Sequence, residues 1–430
     1  MRGFVRRSAA GLVAVAMSCA GLVTFGGGVA SAARHAKEGT ITVGTLFAST
    51  GTYATSSQLQ FAGLKFWAQQ VNAQGGMYIK PLKHKERVKI VAYDDQSNPA
   101  TATTLYTQLL NQDHVDVIAA DFGSVLTAPA VTIAKNQKHL LFDTTGTGTT
   151  FFSNGPNPYL VLTSQPVSSV YATPVAPFLK KLGATKIAIL YCQNDFDQAQ
   201  AEAIQSGLSK LGITPVYYQG VPTSQADYST LIQSIKSTNP DAVIELGYAN
   251  NDIAFLNELK ATGTHFNAVF TPGFGQLVNL FATDVGAATL NYTYSYTEPP
   301  TLRNNVVNEG LPMNQFLTAF APGQTSQVAF MNVAGYQTGL VIQAAFAHAT
   351  SMSQLGIRAG ITAVNGKLKT LDGTFAVNKT GAQVGIRFPI EQAVPSASSA
   401  NGFSLQTVYA GIPSQQKFVK ATPIYPAPAS

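Results

Sequence analysis

The sequence predicts an α/β protein of two similar lobes, each a parallel sheet covered by helices. Three observations predict it. From residue 40 onward, stretches with strand periodicity alternate with stretches of helical periodicity, the order that buries parallel strands between helix layers. The alternation runs in two series, before and after Thr163, with the same architecture and no visible sequence repeat between them. A length of 430 residues suggests two or three domains rather than one core.

The first series opens with Ile41 to Gly76. Ile41, Val43 and Thr45 alternate with Thr42 and Gly44, which predicts a strand over 41–46. Ser49-Thr50-Gly51-Thr52 supplies hydroxyls and backbone amides where the next helix, 56–73, begins. Phe61, Leu64, Ala68 and Val71 recur on that helix at helical spacing, and Gly75-Gly76 ends it. Further strands are expected at 88–93, 116–120 and 139–143, with helices at 99–111 and 126–137 between them. Asn98-Pro99 puts a capping side chain and a first-turn proline at one helix start. The second series has strands at 186–191, 213–218, 242–246 and 268–271. Its helices are expected near 168–182, 197–211, 227–237, 251–262 and 275–283. Val328 to Ala349 is apolar nearly all round, as a buried helix should be. Residues 384–410 alternate as closing strands, and the Pro- and Ser-rich tail from 413 is expected to be loose.

Residues 1–32 have the composition of an export signal, with Arg2, Arg6 and Arg7 ahead of the small, apolar stretch Leu12 to Val23. Two processing routes fit. Ala30-Ser31-Ala32 offers a cleavage site, and Val15 to Cys19 resembles a lipobox that would leave Cys19 lipid-modified. The protein is therefore expected outside the cytoplasm, secreted or anchored at the outer face of the cell membrane. The whole chain carries 27 Lys and Arg against 21 Asp and Glu. Without residues 1–32 the net charge is +3, and no basic cluster alternates with aromatics, so nucleic acid is excluded as a partner. Cys19 and Cys192 are the only cysteines, so a chain that has lost or acylated Cys19 has no internal disulfide.

The strand-loop-helix ending in VNAQGG and the turn YDDQSNPATA (Tyr93 to Ala102) resemble the first βαβ unit of the branched-chain amino-acid-binding family of periplasmic binding proteins. These are the type I solute receptors of ABC importers. The resemblance runs to about residue 380. It implies two Rossmann-like lobes joined by three crossings near 163, 296 and 371. Lobe one would be 40–163 plus 297–371, lobe two 164–296 plus 372–412, with 413–430 as the tail. It implies capture of a small organic ligand between the lobes, with an ABC permease and ATPase as membrane partners. A monomer without cofactor is expected.

The resemblance also places candidate contacts. In lobe one, Ser124 with the helix-start amides beside it would hold a ligand's polar head, since a helix N-terminus favours negative charge. Thr145, Gly146 and Thr147 fall on a second contacting loop. Ser124 or Thr127 could instead simply cap the helix. In lobe two, Phe196 falls where the family has an aromatic wall, and Tyr248 where a residue closes over the ligand. Gly273 stands where amino-acid binders carry an acid that pairs with the ligand's ammonium, which puts an α-amino acid in doubt. Asp121, Asp195 and Glu245 are possible substitutes. Ser49, Tyr53 and Phe274 complete the candidate ligand contacts, with Phe47 and Phe122 on neighbouring loops. Such aromatics suit an aromatic carboxylate, an amide or an amino-acid-like solute.

No enzyme motif appears. The six histidines are isolated, and the sequence has no H-E-x-x-H, G-x-S-x-G or Cys-x-x-Cys. Catalytic and metal-ligating residues are expected to be absent, and Asp94-Asp95 are expected to serve a turn. The alternatives are an exported hydrolase on a doubly wound fold, or a ligand-sensing receptor uncoupled from transport.

Overall fold

The computed structural model describes residues 39–303, 306–410 and 421–428. The expected export signal and Cys19 lie outside these residues. The first sheet contains β1 (Thr40–Phe47), β2 (Met77–Ile79), β3 (His84–Asp94), β4 (Val117–Ala119), β5 (Leu141–Asp143) and β6 (Leu160–Leu162), in the order β2-β3-β1-β4-β5-β6. Only β2, which returns through a tight turn onto β3, is antiparallel. The second sheet has β7 (Ile187–Cys192), β8 (Tyr217–Val221), β9 (Ala242–Leu246), β10 (Val269–Phe270) and β11 (Tyr294–Tyr296) in parallel. The short strands β12 (Lys369–Thr370) and β13 (Gly373–Thr374) form a separate hairpin. Finally β14 (Ile390–Pro395) and β15 (Phe403–Tyr409) extend the second sheet in antiparallel fashion.

Local chemistry explains several elements well. The Asn98 side chain accepts the Ala100 and Thr101 amides, and the helix Pro99–Asn111 starts and stops where expected. Asn194 does the same for Phe196 and Asp197 at the start of Asp195–Lys210. The apolar run becomes the helix Phe330–Ala347, buried on almost every side. It lies against the helix Ala54–Ala73, and glycine makes that approach possible. A Cβ on Gly335 would stand 1.9 Å from the Gln60 carbonyl oxygen, and one on Gly63 2.0 Å from that of Asn332.

Other elements differ from expectation. The stretch 168–182 is two helices, Ser168–Tyr171 and Val175–Leu182, because Pro174 between them has no amide to continue the ladder. The stretch 275–283 likewise divides into Pro272–Gln276 and Val278–Asp284. The helix expected from 126 begins at Gly123, so Ser124 lies inside its first turn.

The chain leaves the first sheet after Leu162 and the second after Tyr296. The third passage is later than expected. Leu371, Phe375 and Val377 still pack in the core beneath the first sheet, whereas Ile386 and Phe388 belong to the core of the second. Of the tail expected to be loose, 413–420 and 429–430 lie outside the described residues, and the rest is held. Residues 421–428 bind the second sheet: Ala421 donates to the Thr407 carbonyl (2.8 Å), Ile424 exchanges two hydrogen bonds with Gln392, and Ala427 donates to Asn267. Tyr294 adds its hydroxyl to the Ile424 carbonyl. These contacts satisfy backbone groups that a loose tail would leave to water.

Candidate functional site

Loops at the carboxyl ends of β4, β5, β7 and β9 converge between the two sheets. From the first sheet, Gly123 takes φ +72°, a left-handed conformation that suits glycine, and its Cα approaches Tyr248 so closely that a Cβ would meet the phenol oxygen at 3.0 Å. Its amide donates to Thr145 Oγ1 (3.0 Å), and that hydroxyl donates to Gln60 Oε1 (2.7 Å). Gln60 is itself fixed by donating to the Ala120 carbonyl. Ser124 Oγ does not cap its helix; it accepts the Gly148 amide at 2.9 Å. Gly146 donates to Asp143, and the Thr147 and Ser168 hydroxyls lie 2.9 Å apart. Thr127 turns its hydroxyl to the Asp121 carbonyl.

From the second sheet come Phe196 and Tyr248. Their rings stack at 5.5 Å and 21°. Tyr248 meets Tyr53 edge-on at 5.2 Å and Phe122 at 5.7 Å, so rings from both lobes share one cluster. The Ser124 amide donates to the Tyr248 hydroxyl at 3.1 Å, linking the lobes directly. A second link runs from Thr150, whose amide and hydroxyl both donate to the Asp195 carboxylate. Ser124, Thr145, Gly146, Thr147, Tyr53, Phe196 and Tyr248 are thus brought together.

Three candidates fall elsewhere. Phe274 is fully buried against Phe281 and Phe403 in the core of lobe two, because the helix Pro272–Gln276 turns it inward. The Gly273 amide donates to Asp252 Oδ2 at 2.7 Å. Ser49 is exposed and hydrogen-bonded to Asp94. Phe47 stacks on Phe61 at 4.8 Å, away from the rings between the lobes. Two concavities, of about 480 and 420 Å³, are lined by none of the clustered rings.

The site is rich in buried acids. Asp95, Asp121 and Asp143 lie behind the loops of lobe one, Asp197, Glu245 and Asp252 behind those of lobe two, and Glu298, Asp372 and Glu391 beside the passages between lobes. Among the described residues the one ion pair is His84–Glu86, on the antiparallel edge of the first sheet. Burial without a cation favours the neutral acid. It pushes Asp95 up to about 6 and Glu245 and Asp372 up to about 7. Burial raises Asp121 and Asp252 as well, with the neighbouring Asp95 and Glu245 carboxyls adding to the shift. Ser164 reaches Asp372 and Gln165 reaches Glu298, so side chains of the first two passages meet, with Asp372 of the last lobe-one segment beside them. Tyr53 is pushed up to about 12 by burial, then by Asp197 and Cys192. Burial also raises the Cys192 thiol, which opposes the thiolate a nucleophile would need.

Gln60 and Asp197 were not singled out in the sequence. Gln60 sits next to the apolar stripe of its helix, and Asp197 reads as one of the acids common in a helix's first turn. The adjacency of Asp197 to Phe196 was the available signal.

Residues 40–390 match the sequence model of the periplasmic binding protein family. The chain belongs to that family. Among curated relatives, the Leu/Ile/Val/Thr-binding protein of Salmonella typhimurium is 26% identical over 224 residues, which is 52% of this chain and 59% of that protein. The chain therefore matches less than two thirds of that family member. The family fold extends further than the sequence similarity. A leucine-binding protein from Thermotoga maritima superposes with a TM-score of 0.72 at 14% identity, over 85% of this chain and 97% of its own. A solute-binding protein of an ABC transporter from R. palustris, in complex with benzoate, also gives 0.72, at 17% identity over 90% and 99%. No helix among the described residues is long and apolar enough to cross a membrane.

Proposed function

We propose that this protein captures a small organic solute between its two lobes outside the cytoplasm and presents it to a membrane ABC permease and its ATPase. The observation that carries this reading is the contact across the cleft, where Ser124 and Tyr53 of lobe one meet Tyr248 and Phe196 of lobe two. Parting the lobes would open this cluster, and closing them around a solute would re-form its rim, the hinge motion such receptors use. The three passages, with Glu298 and Asp372 beside them, are the hinge in this reading, and the lobes divide there. The partner is inferred from the family, as are export and a monomeric state.

Binding rather than catalysis is favoured by the fate of the candidate nucleophiles. Ser124 Oγ accepts an amide, and no histidine lies on the loops that build the cleft. The test is a thermal-shift screen of protein unfolded and refolded to strip bound solute, followed by mass spectrometry of the recovered compound. A solute at a hundred times its dissociation constant adds about 2.7 kcal/mol of stability. A saturable shift with the compound recovered unchanged is expected. Recovery of a converted product would replace this reading with the hydrolase. A ligand-dependent partner other than a permease would replace it with the sensor.

A further inference from the structure

The hydrogen bonds of the cleft can be sorted by what they leave over. On the lobe-one wall the donors are engaged: the Gly123 amide and the Thr145 hydroxyl in series, the Gly148 amide on Ser124, and the Ser124 amide on Tyr248. Acceptors are left over behind both walls, one oxygen each of Asp95, Asp121 and Asp143 in lobe one and of Asp197, Glu245 and Asp252 in lobe two, and of these Asp197 follows Phe196 of the stacked ring pair. Asp197 is wholly buried, Oδ2 takes the Asn194 side-chain amide at 2.6 Å, and Oδ1 has no partner. It follows Phe196 in sequence and lies near enough to Tyr53 of lobe one and Tyr248 of lobe two for its ionised form to raise both phenols, which puts it behind the ring cluster.

Charge points the same way. The loops that meet in the cleft, 45–53, 93–98, 120–127, 143–151, 164–171, 191–198, 245–253 and 271–277, contain no Lys, Arg or His. A carboxylate entering here would have to displace the Tyr248 hydroxyl from the Ser124 amide. It would then lie among buried acids with no cation to balance it. A positive group gains from both features, because aromatic faces attract cations and a carboxylate behind them completes the pairing.

Resting on the receptor reading above, we propose that the cleft takes an organic cation, its ammonium group held against Tyr53, Phe122, Phe196 and Tyr248 with Asp197 as counter-charge. Asp197 is neutral when the site is closed on itself, since burial and Glu245 raise its pKa. The groups within its reach are Tyr53, Cys192, Glu245, Tyr248, Asp252 and Tyr296, none of them cationic. Cation binding therefore ionises Asp197, and the proton leaves to the buffer. The Gly273 position, where amino-acid binders carry their acid, is not involved, because its amide holds Asp252.

Four probes of one size separate the possibilities: benzyltrimethylammonium, benzylamine, benzyl alcohol and benzoate. Thermal shift and calorimetry at pH 7 should give saturable binding of the two cations and none of benzoate. Titrations in phosphate and in Tris should give different apparent enthalpies, because a proton is released. Asp197→Asn, which keeps shape and the Asn194 contact region, should weaken the cations on the order of a hundredfold and abolish the buffer dependence. Phe196→Leu should weaken benzyltrimethylammonium while leaving proton release per bound cation unchanged. Benzoate or benzyl alcohol binding in place of the cations would overturn the proposal and leave the receptor reading standing. So would cation binding that Asp197→Asn does not alter. Binding of none of the four, with no compound released on denaturation, would overturn both.

Discussion

The two walls of the cleft are made from different chemistry. Lobe one presents hydroxyls and amides that satisfy one another, from Gly123 through Thr145 to Gln60 and from Gly148 to Ser124. Lobe two presents two stacked rings backed by an acid with an oxygen unused. Acids with an unused oxygen lie behind lobe one too, but there a layer of mutually bonded hydroxyls and amides stands in front of them, and such a layer is rigid and offers a newcomer mainly shape. Rings over an unused acceptor leave the chemistry of the guest undecided until it arrives. In the receptor reading proposed above, the contrast makes lobe one the seat and lobe two the selector.

The sharpest way to probe this contrast is pH, because the hydroxyls of the seat do not titrate and the acids behind both walls and the hinge do. Asp372 and Glu245, raised to about 7, and Asp95, raised to about 6, hold protons in the folded protein that the unfolded chain has released. The folded state therefore binds more protons between about pH 4 and 7, and its stability falls as pH rises through that window. For a wholly buried acid such as Asp372 the loss is about 4 kcal/mol. Denaturant unfolding should show a more stable protein at pH 4.5 than at pH 7.5. Equal stability at both would mean that these acids are ionised and paired in a way the structure does not contain. Asp372→Asn should remove part of the slope.

Tyr248→Ala should have the next largest effect. It deletes a ring that touches Tyr53, Phe122 and Phe196 and frees the Ser124 amide. Loss of a large buried aromatic costs about 3–5 kcal/mol where the site cannot collapse, and less here if the lobes part. Small-angle scattering should report a more open particle, and solute binding should be lost. A compact particle of unchanged stability would mean that the ring cluster does not hold the lobes together. On the other wall, Ser124→Ala removes one hydroxyl and leaves the Gly148 amide without its acceptor. The cost should be about 1–3 kcal/mol, with the lobes still closed. If the serine variant opens the particle as the tyrosine variant does, seat and selector are not separable.

How far this contrast was legible in the sequence follows from the kind of signal each residue sends. The strand and helix series was legible because apolar period and caps such as Asn98-Pro99 are local. Thr145 and Tyr248 were legible because loops after strand ends face the cleft in such sheets. Phe274 looked like a cleft residue for the same reason. The helix that begins at Pro272 instead turns it into the core, and a helix of five residues is too short to announce its face. The segment 421–428 has no periodicity, yet it is held by Gln392 and Tyr294 from a distant strand pair. Asp197 sent only the faint signal of standing next to Phe196. An acid in a helix's first turn is ordinary, and only the fold reveals that its surroundings contain no cation.

The smallest effect should come from Ser49, which occupies the rim of lobe one on the solvent side. Its amide and hydroxyl both donate to Asp94, beside the buried Asp95. The two neighbouring carboxyls behave oppositely. Asp95 is raised by burial, whereas at Asp94 burial, the largest single effect, is outweighed by the hydrogen bonds from the Ser49 hydroxyl and amide and the Gln96 amide together, which lower it. A lowered acid stabilises the fold above its unfolded pKa and loses that contribution as pH falls, the reverse of Asp95. Because Asp94 is largely in water, the effect is screened, and Ser49→Ala should cost only a few tenths of a kcal/mol. Urea unfolding at pH 7 and pH 3 should show this small difference at the higher pH and none at the lower, with solute affinity unchanged at both. A tenfold loss of affinity would put Ser49 in the seat after all, and the lobe-one wall would then extend to the rim.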